Sequence, residues 1–250
     1  MKKRVISLVP SWTETLLAAG ITPVGRSRYC IHPADLVADI PAVGGTKDWD
    51  WQKIVALEPD LLLLDREENV SFMSEQTDID WFATHVTSIH SMPQTLTELA
   101  ELFASDGLED MASRWRAVLA QKPRRRAFGD PFPGLLGWGK RPQRRIDRIL
   151  YMVWCEPWVA VSRDTFIGSL LGLLDLDIGR FETHYPRIEL SDFDQETTLL
   201  LLASEPYPFW QKKEELCELQ FPHAFVDGES ISWYGIRSLR FLEKALARQA

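Results

Sequence analysis

Apolar residues fall along this chain in two alternating rhythms, short β-branched or Leu runs and longer helical-period stretches. Val5 to Val9 (VISLV) is predicted to be a buried first strand. Pro10 ends it, and Ser11-x-x-Glu14 is expected to form a capping box for a helix through Leu17, closed by Gly20. Val43-Gly44-Gly45-Thr46 is a second Gly loop, and Asp50 is placed to cap a helix through Leu57. Leu61 to Leu64, bounded by charge, has the continuous apolar character of an interior parallel strand, and His85 to Ile89 is predicted to be the next strand. Ser91 to Lys122 then repeats apolar residues at close to 3.6: Leu96, Leu99, Leu102, Phe103, Leu108, Met111, Trp115, Val118 and Leu119. Ser91 is its expected N-cap. Asp106-Gly107 is the place where it would split, since Gly costs about 1 kcal/mol inside a helix.

A Pro- and Gly-rich connection over 123–142 follows, and the β/α alternation restarts. Strands are predicted at Ile149–Trp154, Thr198–Ala203 and Ala224–Val226, with helices at Asp164–Leu174, Pro208–Leu216 and Arg237–Arg248. The expected fold class is α/β: two lobes, each with a mainly parallel sheet, at 1–90 and 123–250, joined by one long backbone helix at 91–122.

Composition narrows what such a chain does. With 250 residues, 45% hydrophobic and 26% charged, it has the make-up of an ordinary globular protein. A net charge of −8 argues against nucleic-acid binding by the whole surface, leaving the basic stretches Lys122–Arg126 and Lys140–Arg148 as local exceptions. Cys30, Cys155 and Cys217 are too few and too scattered for a disulfide framework. MKKRVISLVPSW lacks the apolar core of a signal peptide, so cytoplasmic residence is expected, or periplasmic if the chain is a processed form. No stretch is apolar enough to insert in a membrane.

VISLVPSWTETLLAAGITPVGRSRYCIHP, a Gly loop and then IVALEPDLLLL resemble the first lobe of the helical-backbone periplasmic binding proteins, the substrate-binding subunits of importers for cobalamin, ferric siderophores and haem. The sequence is especially similar to the cobalamin-binding branch. The resemblance implies a non-catalytic monomer that holds a corrinoid, haem or ferric chelate between two lobes, without any required cofactor. It places Tyr29, Tyr185 and Trp233 near ligand-contacting aromatics, and Asp65 where relatives carry a tryptophan. It also implies an ABC permease partner, recognised through one surface Glu per lobe. Gln52 stands at the first of those positions, and Asp194 or Glu196 lies near the second.

From the residues themselves, loop and strand-end aromatics such as Trp49, Trp154, Trp233 and Tyr234 suit a bulky planar ligand. Arg28 and Arg163 offer bidentate forks to carboxylate or phosphate, and Asp164 is expected as an N-cap. Cys30-x-His32 is the only close pair of soft metal ligands. There is no GxSxG, Walker A, HExxH or GxGxxG. The alternative readings are a corrinoid or metal-chelate sensor or chelatase-like enzyme on the same scaffold, and a protein-interaction module.

Overall fold

The computed structural model describes residues 3–69, 78–122, 132–216 and 218–247. Cys217 and most of the basic stretch after Lys122 lie outside them. The chain divides into two units: one comprises 1–86, 90–118 and 233–240, the other 87–89, 119–232 and 241–250.

The first unit is built on a four-stranded, all-parallel sheet of order β2-β1-β3-β4, with β1 Val5–Ser7, β2 Gly25–Arg26, β3 Leu61–Asp65 and β4 Trp81–Thr84. Val5 pairs with Leu61 and Leu62 with Trp81, which brings Asp65 level with Thr84 at the carboxyl edge. All five β3 residues are buried, as the LLLL run predicts for an interior parallel strand. Alternate side chains face opposite ways. Ile6, Leu62 and Leu64 join Leu8, Val43 and Ile54 in one core layer.

Helix α1 (Pro10–Ala18) begins one residue before the expected cap. Val9 has no side chain to cap with, so Pro10 opens the helix, where its missing N–H costs nothing. Ser11 therefore lies inside the helix, and Glu14 turns to Arg237 instead of closing a capping box. A short helix α2 (Ala34–Val37) follows β2. Asp50 does cap α3 (Trp51–Ala56), accepting from the Lys53 N–H at 3.3 Å.

The predicted long helix is two helices, α4 (Met92–Phe103) and α5 (Asp106–Leu119). The break falls at Ala104, left-handed at φ 47, and Ser105 N–H reaches back to the Ala100 carbonyl at 2.9 Å. Gly107 sits within the first turn of α5. Its bare Cα lets the backbone of Ala19 approach, since a Cβ there would lie 3.3 Å from it. Ser91 precedes α4 without a side-chain cap. His85–Ile89 is not a strand: pairing ends at Thr84, and a 3₁₀ turn covers Ile89–Ser91.

The second unit carries a mixed sheet of order β5-β9-β8-β6-β7: β5 Leu135–Lys140, β6 Arg148–Trp154, β7 Val159–Val161, β8 Thr198–Ala203 and β9 His223–Val226. The central three strands are parallel and the two edges antiparallel. β5 falls in the stretch read from sequence as a connection, and β7 between the predicted strand ending at Trp154 and the helix expected from Asp164. Helix α6 (Phe166–Leu173) is capped by Thr165, which accepts from Gly168 N–H at 3.0 Å. Asp164, the expected cap, pairs with Arg180 instead at 2.6 Å. Pro208–Leu216 forms turns rather than a helix. Helix α7 (Gly228–Ser232) and helix α8 (Ile236–Ala247) complete the chain.

Candidate functional site

Open parallel sheets bind ligands at the carboxyl ends of their strands, where loops diverge and helix N-termini point outward. In the first unit those ends carry four loops: Leu8–Val9 after β1, Ser27–Pro33 after β2, Arg66–Asn69 after β3 and His85–Val86 after β4.

Beneath the loops lies a buried polar floor. Asp65 is fully buried at the end of β3. Its Oδ2 accepts from Thr84 Oγ1 at 2.5 Å and its Oδ1 from Glu67 N–H at 2.9 Å. Thr84 in turn accepts from the indole N–H of fully buried Trp12 at 2.8 Å. Burial raises the carboxyl pKa of Asp65, against the lowering effect of those hydrogen bonds. The Tyr234 hydroxyl faces the carboxylates of Glu68 and Asp65. Burial first, and then those charges, push it well above the ordinary phenol range. Asp65 is therefore a supporting group, with the Thr84 and Trp12 partners that the linear sequence could not reveal.

The β2 loop provides the exposed part. Ser27 and Cys30 turn inward, where the Cys30 thiol lies 3.0 Å from Thr13 Oγ1 and 3.2 Å from Ser27 Oγ; burial raises its pKa. Tyr29 turns outward and is 53% exposed. The Arg28 guanidinium lies 5.4 Å from the Tyr29 ring centre, and its Nη2 donates to both Asp48 oxygens at 2.5 and 2.6 Å. Gly45 makes that closeness feasible: a Cβ there would sit 2.8 Å from Arg28 Nη2 and 3.2 Å from the Tyr29 ring.

His32 meets Trp233 edge to face at 5.5 Å. Trp233 comes from 201 residues further along the chain yet belongs to the first unit. Its segment is locked there at several points. Ile236 N–H donates to Thr15 Oγ1 at 3.0 Å, and Trp115 Nε1 to the Gly235 carbonyl at 3.3 Å. Gly235 holds a φ of 82, and a Cβ on it would stand 2.1 Å from Thr15 Oγ1. Arg237 lies over Trp233 at 4.9 Å and pairs with buried Glu14 at 2.7 Å.

The structure thus gathers Arg28, Tyr29, Asp65, Trp233 and Tyr234 into the first unit, with His32 beside Trp233. Trp49 is half-buried against the Ile6–Leu62 core layer beside Trp51. Cys30 is committed to its hydroxyl neighbours. Among the described residues no group of three or more His, Cys, Asp or Glu is arranged to hold a metal ion.

Trp154, Arg163 and Tyr185 belong to the second unit. Trp154, 43% exposed at the end of β6, stands edge to face with Tyr207 at 5.5 Å. Tyr207 continues to Phe209 at 4.6 Å, and Phe209 stacks with Trp158 at 5.9 Å. This aromatic ladder at the carboxyl ends of β6 and β8 was only half visible in the sequence, where Tyr207 carried no signal. Arg163 pairs with Asp177 at 3.7 Å. Tyr185 is exposed on the strip alongside β7, where Ala160 N–H donates to the Pro186 carbonyl. A neighbouring open depression of about 600 Å³ is lined by Asp164, Arg180, Phe181, Glu182 and His184.

No protein-family model matches the chain. A vitamin B12-binding protein of Salmonella choleraesuis is 36% identical to it over 100 residues, 39% of this chain and 37% of that protein; its Salmonella typhimurium counterpart matches equally. The chain thus matches little more than a third of the length of these curated relatives. The likeness of fold runs much further. The periplasmic vitamin B12-binding protein of Vibrio cholerae superposes with a TM-score of 0.69 at 16% identity, covering 98% of this chain and 96% of that one. IsdE of S. aureus, solved in complex with heme, gives 0.68 at 14% identity, covering 98% and 97%. Over 98% of its length the chain shares its fold with these two solved proteins, and over 100 residues it shares sequence with the vitamin B12-binding relatives.

Proposed function

We propose that this chain is a non-catalytic binding protein that captures a bulky ligand on the loops at the carboxyl ends of its strands, as the substrate-binding component of an ABC importer does. The ligand is of the cobalamin, haem or ferric-siderophore class. One observation carries the reading: Tyr29, His32 and Trp233 stand at the carboxyl edge of a parallel sheet, over a fixed polar floor. The edge-on His32–Trp233 pair and the half-exposed Tyr29 on the same loop as His32 offer wide apolar contact area with few rotatable bonds to freeze. The vitamin B12- and heme-binding names of the relatives and neighbours agree with it, and those proteins are binders rather than enzymes.

A permease partner belongs to the same proposal, with its contacts differing from the usual pair of glutamates. Gln52 is exposed on α3. Asp194 accepts the backbone N–H groups of Glu196 and Thr197, which lower its pKa, while Glu196 pairs with Arg144 at 2.5 Å. Work in the periplasm, as in the Vibrio cholerae neighbour, goes with that role and is checked by cell fractionation.

Titration of the full chain with cyanocobalamin, haemin and a ferric siderophore, followed by calorimetry and absorbance, tests the binding role. Binding of at least one, weakened about tenfold or more by Trp233→Ala, is the expected result, since an aromatic anchor typically contributes ≥1.4 kcal/mol.

A further inference from the structure

The cations at these strand ends share one arrangement. Arg28 Nη2 donates to both Asp48 oxygens at 2.5 and 2.6 Å while the guanidinium lies 5.4 Å from the centre of the Tyr29 ring. Arg237 pairs with Glu14 at 2.7 Å while lying 4.9 Å from the centre of Trp233. In the second unit Lys212 pairs with Glu215 at 3.5 Å while lying 5.2 Å from Tyr207. Each cation is held by a carboxylate on one side and covers an aromatic ring with the other. The two further arginines near β7 are also matched, Arg163 to Asp177 at 3.7 Å and Arg180 to Asp164 at 2.6 Å.

This arrangement bears on what the faces can recognise. A ligand carboxylate or catecholate approaching Arg28 or Arg237 meets Asp48 or Glu14 already paired with that arginine, and the neighbouring carboxylate repels it. Asp65 and Glu68 add further acidic groups beside Tyr234. Arg66, exposed at the end of β3, is flanked in sequence by Glu67 and Glu68, and Glu67 lies 3.0 Å from His85. What remains for a ligand is ring surface stiffened by paired cations.

We propose that the carboxyl-end face of the first unit selects a bulky ligand that carries no net negative charge, by apolar contact with Tyr29 and Trp233, and discriminates against polyanionic chelates. This inference rests on the binding role proposed above and narrows its ligand class. It reverses the use expected of Arg28 from sequence, which was to receive a ligand anion.

The test compares three probes on the full chain: cyanocobalamin, uncharged overall; haemin, with its propionates; and a ferric tris-catecholate, strongly anionic. Cyanocobalamin is expected to bind at least about tenfold more tightly than either anion, with an affinity that changes little between low and high salt. Asp48→Asn releases Arg28 from its exposed partner, so the ratio of haemin to cyanocobalamin affinity should rise roughly fivefold. Tighter binding of haemin or the catecholate, falling steeply with salt, overturns the charge selection and leaves the binding role standing. An unchanged ratio in Asp48→Asn also overturns it. No binding of any probe overturns the binding role, and the selection with it.

Discussion

Replacing Arg237 by methionine removes one member of an ion pair that ties the start of α8 to α1 within the first unit. The Arg237 side chain is 19% exposed and that of Glu14 only 9%, so the surviving Glu14 carboxylate would be left almost dry. Breaking a buried pair by deleting one partner typically costs about 3–5 kcal/mol, most of it the penalty of the orphaned charge. Losing the guanidinium over Trp233 adds roughly 0.5–2 kcal/mol. For a chain of this size, about 2–4 °C of melting temperature goes with each kcal/mol, so Arg237→Met is expected to melt roughly 7–28 °C lower. Thermal and urea unfolding followed by circular dichroism measure this. The double variant Glu14→Gln with Arg237→Met removes the orphaned charge and should recover all but about 1–2 kcal/mol. A single variant that loses less than ~1 kcal/mol, or a double variant no more stable than the single, would refute the assignment of the pair as a buried tether.

Other substitutions probe the floor and the tether separately. Gly235→Ala forces a Cβ to within 2.1 Å of Thr15 Oγ1 at a φ of 82, and should cost about 2–4 kcal/mol in urea unfolding. Thr84→Val leaves the buried indole N–H of Trp12 without its acceptor and removes a donor from Asp65; a loss of about 1–3 kcal/mol is expected from the same measurement. Asp65→Asn tests the electrostatics of the floor. Burial raises the folded-state pKa of Asp65, so the folded protein keeps that proton to higher pH than the unfolded chain, whose carboxyl titrates near 4. Ionising Asp65 therefore costs stability as pH climbs through the folded value, and the asparagine variant escapes that cost. The stability of Asp65→Asn relative to the parent should rise between about pH 4 and pH 7; a flat or falling difference contradicts the buried-carboxylate reading.

Much of the scaffold was legible because its signals are local. The LLLL run could only be an interior parallel strand, Asp50 sits three residues before the N–H that it accepts, and the period of α8 shows within twelve residues. The errors share a cause as well. Glu14 had the spacing of a capping box, but a helix that begins at Pro10 freed it for Arg237, 223 residues away. The helix break was expected at the glycine, and fell at Ala104. Gly107 is instead a close-approach residue against Ala19, a role only packing can assign. The edge strand β5 was hidden because Gly and Pro dominate its surroundings, which antiparallel edges tolerate, and β7 because it is only three residues long.

The candidate site divides in the same way. Tyr29 and Asp65 were visible at strand ends, since a parallel α/β pattern says where loops face. Trp233 and Tyr234 were visible as aromatics, but not as members of the first unit. Hydrogen bonds from Ile236 N–H to Thr15 Oγ1 and from Trp115 Nε1 to the Gly235 carbonyl, across more than a hundred residues, bring them there. Thr84 and Trp12 gave no sign at all, because a hydroxyl and an indole become a floor only when two strands are in register.

The most direct measurement of the central claim is calorimetric titration of the full chain with cyanocobalamin, performed alongside Trp233→Ala. Saturable one-to-one binding, weakened about tenfold or more in the variant, is the predicted result. Absence of heat and of any absorbance change with cyanocobalamin, haemin and ferric siderophore alike would contradict it.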